Sequence, residues 1–341
     1  MKLWIYLFFG LFCLSIQAQT DLDLAESYYD NGEFKKALHL YKKLQSTQPN
    51  NSKYTFRLIK ILQELEQFKA ADSLIISQLN RTKNPQLLVE MGYNYQLQNQ
   101  LEAAQDYYSQ ALNRARETPA YSYSIALKFE ERSLVDQAIE VYKLAIESTQ
   151  NNSYEYRLAG LYAIKQDLEN MFLSYLNFTV FNPNYNNQIL QLFSDYISDD
   201  ASTEYNRLLK KIILKKLQTS ANIYWNQMLS WLYVREKDYN KALLQQKAIF
   251  RRDRNSLQGI TEVALLAKGA KFYEVTSDAF TFIIEQSQEP NLILEANRQL
   301  LVLEVMRFDA PEYKRIASDY KALLELYGCL LYTSDAADEV V

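Results

Sequence analysis

Leu87–Ala115 reads LLVEMGYNYQLQNQLEAAQDYYSQALNRA, and its reading decides the fold. Gly92, Tyr95, Ala104, Tyr108 and Ala111 mark places that three other segments fill with the same residue types. Before it come Ala25, Tyr28, Ala37, Tyr41 and Pro49, then Ile59, Leu62, Ala71 and Ile75; after it come Ala126, Phe129, Ala138, Tyr142 and Ala145. The anchoring residues Ala37, Ala71, Ala104 and Ala138 stand 34, 33 and 34 residues apart. A fixed period of this length is the signature of a helical-repeat array. Each unit carries two apolar stripes at helical spacing, such as Leu24, Ala25, Tyr28 and Tyr29 followed by Phe34, Ala37, Leu38, Tyr41 and Leu44. Asn31-Gly32 closes the first of these helices and Pro49 stops the second. Small residues such as Ala25 and Ala37 let two antiparallel helices approach closely, and Tyr28 and Tyr41 fill the space beside them.

From Asp21 to Ser148 the pattern resembles the tetratricopeptide repeat, whose first helix carries a small residue and an aromatic one turn later, and whose second carries an alanine and an aromatic. The resemblance implies an all-α fold, a right-handed α-solenoid of tandem antiparallel helix pairs, with four well-matched units over residues 19–150. Residues 151–328 continue it as degenerate pairs. In a fifth unit Phe172 stands where the family prefers alanine and should push two helices apart. Gln188–Ile197 and Thr203–Leu217 form a sixth pair, with Leu209, Ile212, Ile213 and Leu217 as a buried stripe and Arg207, Lys210, Lys211 and Lys215 opposite. A seventh unit holds Trp231, Tyr233, Tyr239 and Ala242, an eighth Ala264, Ala267, Phe272 and Phe280, and the last pair runs 292–306 and 311–327. Without a Gly- or Ser-rich linker the array reads as one continuous solenoid, bent where Pro183, the asparagine run and Asp199-Asp200 break the rhythm.

Both ends stand apart from the repeats. Lys2, the apolar stretch Ile5–Leu14 and Gln17-Ala18 read as a secretory signal peptide over residues 1–18, cleaved after Ala18, which implies an exported, periplasmic or envelope-associated protein. Phe12 before Cys13 speaks against a lipid-attachment site. Residues 329–341 carry Cys329-Leu-Leu-Tyr-Thr-Ser-Asp-Ala-Ala-Asp-Glu339, which resembles a translated sequencing adapter, so the natural chain is expected to run past Gly328. Setting these ends aside removes both cysteines, and with them disulfides, thiolate nucleophiles and cysteine-bound metals.

Charge is unevenly spread. The whole chain has a formal net charge of −4, yet residues 203–254 hold twelve Lys and Arg against four Asp and Glu. Lys210, Lys211, Lys215, Lys216, Arg251, Arg252 and Arg254 form a candidate basic patch for an acidic partner or envelope polyanion. Tyr224, Trp225 and Trp231 mimic a nucleic-acid platform, but they have the spacing of a helix core, and nucleic acid is not expected as a partner.

Catalytic patterns are missing. His39 is the lone histidine and has no clustered second ligand, so no metal or cofactor is expected. Glu130 and Glu131, adjacent on a helix, point about 100° apart and make no acid/base pair. A non-enzymatic scaffold follows. In the resembled family a concave groove lined by first-helix residues takes peptides or proteins, which implies Glu26, Tyr29, Phe56, Lys60, Gln63, Val89, Tyr93, Gln96, Tyr123, Leu127, Glu130, Arg157 and Leu161 here. Tyr29, Phe56, Tyr93 and Tyr123 would form an aromatic track for an extended peptide or inserted helix. Leu22, Glu26 and Phe56 replace the groups that some members use to clamp peptide carboxy termini. Two alternatives remain open: the sensor portion of a longer regulatory protein, or the repeat region of an enzyme with its catalytic domain beyond Gly328.

Overall fold

The computed structural model describes residues 21–307, and among these the regular elements are α-helices and two short 3-10 turns. Helix α1 covers 21–30 and α2 Phe34–Thr47; α3 is Ser52–Glu64, α4 Phe68–Thr82, α5 Gln86–Leu97 and α6 Leu101–Glu117. Then follow α7 Ser122–Glu131, α8 Val135–Thr149, α9 Tyr154–Ile164 and α10 Leu168–Phe181. The later helices are α11 Asn186–Ser194, α12 Glu204–Thr219, α13 Ile223–Arg235, α14 Tyr239–Arg252, α15 Gln258–Gly269, α16 Tyr273–Gln286 and α17 Pro290–Arg307. The chain divides into two compact units between Phe178 and Thr179. In each, consecutive helices pack on one another, α5 on α6 and α7 on α8 in the first, α13 on α14 and α15 on α16 in the second. The signal segment, the second helix of the last pair and the adapter-like tail lie outside the described residues.

Local sequence explains where helices begin. The side chains of Asn51, Thr203, Asn222 and Asp238 accept a hydrogen bond from a backbone N–H in the first turn of α3, α12, α13 and α14. The turn inside each pair is written in the backbone rather than in a residue type. Gly32, Glu66, Asn99, Ser133, Gln166, Lys237 and Lys271 all have positive φ, between 55° and 74°. The residue after each donates its N–H five residues back, to Tyr28, Leu62, Tyr95, Phe129, Tyr162, Tyr233 and Ala267, at 2.8–3.0 Å. This is a left-handed helix cap of the Schellman type, and a non-glycine residue there costs about 1 kcal/mol. The spacing of 33 or 34 residues persists to Gln166 and returns at Lys237–Lys271, well beyond the stretch where side chains match the consensus. Among the described residues only the α11–α12 connection departs from it. There the first helix starts at Asn186, behind the Pro183–Tyr185 turn, rather than at Gln188, and ends at Ser194 rather than Ile197.

Packing follows the small residues. Ala25, Ala37, Ala71, Ala104, Ala126, Ala138, Ala242 and Ala264 are all buried. Where the second unit has hydroxyl residues at the helix crossing, they bridge it: Ser230 Oγ donates to the Ala242 carbonyl at 3.2 Å and Thr276 Oγ1 to that of Ala264 at 3.4 Å. In the first unit Ala25, Ala37, Tyr41, Leu44, Tyr54, Leu58 and Ile61 form one apolar cluster, and Ile59, Ile75, Leu87 and Met91 another. Phe172, bulky where the pattern has alanine, is fully buried. In α12 the stripe of Leu209, Ile212 and Ile213 is buried as expected, but Leu217, one turn from the helix end, is only half-buried.

Gly92 gives the sequence signature a direct test. A Cβ there would run into the ring edge of Tyr108 and stand 3.0 Å from the Ala104 carbonyl oxygen. The ring cannot retreat, because Tyr108 is 2% exposed, packs edge-on to Phe129 at 5.7 Å and donates to Gln96 Oε1 at 2.9 Å. Gly92→Ala should gain about 1 kcal/mol in helix propensity and lose about 1–3 kcal/mol to overpacking. Thermal unfolding should therefore show a lowered midpoint, and a raised one would mean that α5 and α6 can separate without cost.

Candidate interaction site

On the first unit, α3, α5 and α7 bound a cavity of about 400 Å³ lined by Lys53, Phe56, Arg57, Lys60, Glu90, Lys128, Glu131 and Arg132. Helix α5 forms its floor with Glu90, whose side chain is 1% exposed. From α7, Arg132 reaches across to bond Glu90 and, at 2.9 Å, Gln63 Oε1 on α3. Lys128 lies 3.5 Å from Glu90 and pairs with Glu131 at the rim. The side chains of Lys128 and Arg132 are only 7% and 8% exposed, so two buried cations share one buried carboxylate. Burying charge costs several kcal/mol per ion unless partners and hydrogen bonds compensate it. The compensation here is incomplete, since Glu131 is half exposed and the neighbouring Gln63 Nε2 is buried with no hydrogen-bond partner among the described residues.

Aromatic rings lie beneath the cations. Arg57 covers the Tyr29 ring at 4.2 Å and Lys60 the same ring at 5.6 Å; Lys128 covers Phe56 at 4.2 Å and Arg132 covers Tyr93 at 4.5 Å. Such stacking contributes about 0.5–2 kcal/mol according to how dry the pair is. Tyr29, Phe56 and Tyr93 thus lie as ring faces under positive groups, and the chemistry offered to a visitor is cationic. Tyr123 differs. It is 42% exposed, stacks on Tyr154 at 6.0 Å, and belongs to a neighbouring cluster in which Tyr142 donates to Glu130 and Arg157 approaches Glu130 at 3.7 Å. Burial first, and then the bond to Glu130, pushes the Tyr142 phenol far above its ordinary value, so it stays a donor at any physiological pH.

The structure therefore brings together Phe56, Lys60, Tyr29 and Tyr93, pins Gln96 to the Tyr108 hydroxyl, and leaves Tyr123 and Arg157 beside a second group. Val89 and Leu161, expected on the groove surface, are buried, because an apolar side chain at that helix position packs inward. Glu130 and Glu131 turn into different clusters, and His39 is exposed on α2. Sequence reasoning missed Lys53, Arg57, Glu90, Lys128 and Arg132. Charged residues among the apolar positions of a first helix are the signal that points to them.

In the second unit the basic stretch divides. Lys210, predicted opposite the buried stripe, is half-buried and pairs with Glu236 at 2.7 Å over the Tyr233 ring, because the α13 end brings a nearly buried carboxylate to it. Lys216 covers the Trp225 ring at 5.7 Å and Arg252 donates to Asn226 Oδ1 at 3.1 Å. Lys211, Lys215, Arg251 and Arg254 are exposed, and Arg254 borders a loop-end cavity of about 610 Å³. Trp225 is buried as its spacing implied, so it offers no open stacking face.

Residues 89–153 match the sequence model of the family described as Tetratricopeptide repeat. No curated protein matches the chain. Among solved structures, a tetratricopeptide repeat protein from Parabacteroides merdae aligns with 84% of this chain and 98% of its own, at 12% identity and a TM-score of 0.28. The C-terminal part of a TPR repeat-containing protein from Cytophaga hutchinsonii aligns with 70% of this chain and 98% of its own, at 19% identity and a TM-score of 0.30. A structure of Naa15/Naa10 bound to HypK aligns with 92% of this chain and 43% of its own, at 11% identity and a TM-score of 0.33.

Proposed function

We propose that this chain, a tetratricopeptide-repeat protein, is a non-catalytic interaction scaffold that holds a segment of a partner protein against the first-helix face of its first unit. The observation that carries the reading is the cavity between α3, α5 and α7, which lies inside the region that matches the family at its floor and far wall. Its lining is rich in hydrogen-bond donors and includes Arg57 and Arg132, and arginine is enriched at protein recognition surfaces. The polar groups of the same face are committed to one another, Glu130 to Tyr142 and Arg157, Glu131 to Lys128, which supports binding rather than proton transfer. A photo-crosslinker at exposed Tyr123, compared with one at exposed Lys69 on α4, tests it in the full chain. Partner adducts should form at position 123 and be absent at position 69; equal yields would remove this face from the account.

In the same reading the scaffold works in the cell envelope, which Lys2 and the apolar Ile5–Leu14 stretch before Gln17-Ala18 support. The mature protein should then begin at Gln19 and fractionate with the envelope. Recovery of a polypeptide that still begins at Met1 in the cytoplasm would remove export while leaving the scaffold intact.

A further inference from the structure

We propose that the cavity between α3, α5 and α7 recognises an acidic segment of the partner, two or more neighbouring Asp or Glu side chains, through Arg57 and Lys60, with buried Gln63 behind them. This rests on the scaffold reading above and adds the partner's chemistry to it. The lining carries five cationic side chains and two carboxylates. Glu90 is consumed by Arg132 and Lys128, and Glu131 by Lys128. Lys53 turns away to Glu26 at 3.0 Å. Arg57 and Lys60 have no carboxylate within ion-pair distance among the described residues; both rest on the single ring of Tyr29. They stand three residues apart on α3, where like charges repel each other. Gln63 continues the row by another three residues, 5% exposed, its Oε1 taken by Arg132 and its Nε2 unpartnered. A buried donor without an acceptor carries a desolvation cost that an arriving acceptor removes. Surplus positive charge in one half-enclosed space, with a buried unpaired donor behind its lining, asks for a ligand that is anionic. Its size class, within the few hundred Å³ typical of side-chain and small-ligand sites, fits side chains of an extended segment rather than a folded surface.

The site differs from a carboxy-terminal clamp in its parts, since Leu22, Glu26 and Phe56 occupy those positions and the donors proposed here come from α3 with support from α7. It also differs from the basic stretch of the second unit, whose exposed Lys211 and Lys215 provide the control.

The experiment is fluorescence anisotropy on the full chain with a labelled octapeptide of Glu and Asp, beside its Gln and Asn counterpart. At about 0.05 M salt the acidic peptide should bind at least about tenfold more tightly than the amide peptide, and the difference should shrink as salt rises. Arg57→Glu/Lys60→Glu should lose at least about tenfold, whereas Gln63→Leu, which takes an acceptor from buried Arg132, should lower the unfolding midpoint. Lys211→Glu/Lys215→Glu should bind like the wild type. Equal binding of the two peptides, an unchanged Arg57→Glu/Lys60→Glu variant, or loss confined to the Lys211→Glu/Lys215→Glu variant overturns the proposal. Displacement by inorganic phosphate at concentrations matching the peptide's own would reassign the cavity to a small anion, and equally overturns it. If face-specific crosslinking at Tyr123 persists while acidic preference is absent, the acidic chemistry falls and the scaffold stands. The reverse pattern removes the scaffold reading and keeps the anionic cavity.

Discussion

Glu90→Gln should lower the unfolding free energy by about 3–5 kcal/mol, the cost of stranding buried charge. The substitution keeps the shape and still offers an acceptor to Arg132, so the loss reports the missing charge together with an amide donor turned toward Lys128. Lys128 and Arg132, each more than nine-tenths buried, would retain only half-exposed Glu131 as a counter-charge. A urea series following the helix signal should show an earlier midpoint with an unchanged slope. Replacing the whole cluster, Glu90→Leu with Lys128→Met and Arg132→Met, should recover most of the loss, because a packed apolar triad needs no solvation. A loss below about 1 kcal/mol would show that water reaches these groups and that they behave as a surface pair. The same variant makes the cavity more positive, so it should bind the acidic octapeptide more tightly while folding less stably. Stability and recognition are opposed at this residue.

Phe129→Ala should cost about 3–5 kcal/mol, the range for removing a large buried ring. Phe129 is 0% exposed and receives the edge of Tyr108 at 5.7 Å with the ring planes 71° apart. It joins the repeat centred on α5 and α6 to the one centred on α7 and α8, so truncation opens space in both. Phe129→Leu keeps most of the volume and should cost less than about 1.5 kcal/mol. Calorimetric midpoints for the two variants should therefore be well separated. Near-equal midpoints would mean that α6 and α7 close over the vacated space.

The helix pairs were legible because the determinants of close approach are local. Ala37, Ala71, Ala104 and Ala138 mark buried crossings, and a period that regular needs no tertiary information. The turns between paired helices were legible only at Asn31-Gly32, since Glu66, Ser133, Gln166, Lys237 and Lys271 adopt positive φ without the glycine that would announce it. That Phe56, Lys60 and Tyr93 belong to first helices was readable too. What covers them was not. Arg132 meets Glu90 across 42 residues of sequence and Gln63 across 69, and no window of one repeat contains either encounter. Charge counting misled in the second unit for the same reason. Lys210 looks solvated within its own helix and is paired only because Glu236 arrives from the end of α13.

The seven left-handed caps bear on how such a chain can change over generations. Their bonds join backbone groups five residues apart, so the side chains around them are free to drift, as they have after residue 150. Length is not free in the same way. One inserted residue within a helix turns everything after it by about 100° and carries the buried alanines out of their crossings. A duplicated or deleted block of 33 or 34 residues, cut at equivalent caps, restores every later side chain to its place. The genes for chains of this kind should therefore vary by whole modules and by substitution, with single-codon insertions confined to irregular connections such as the one between α11 and α12.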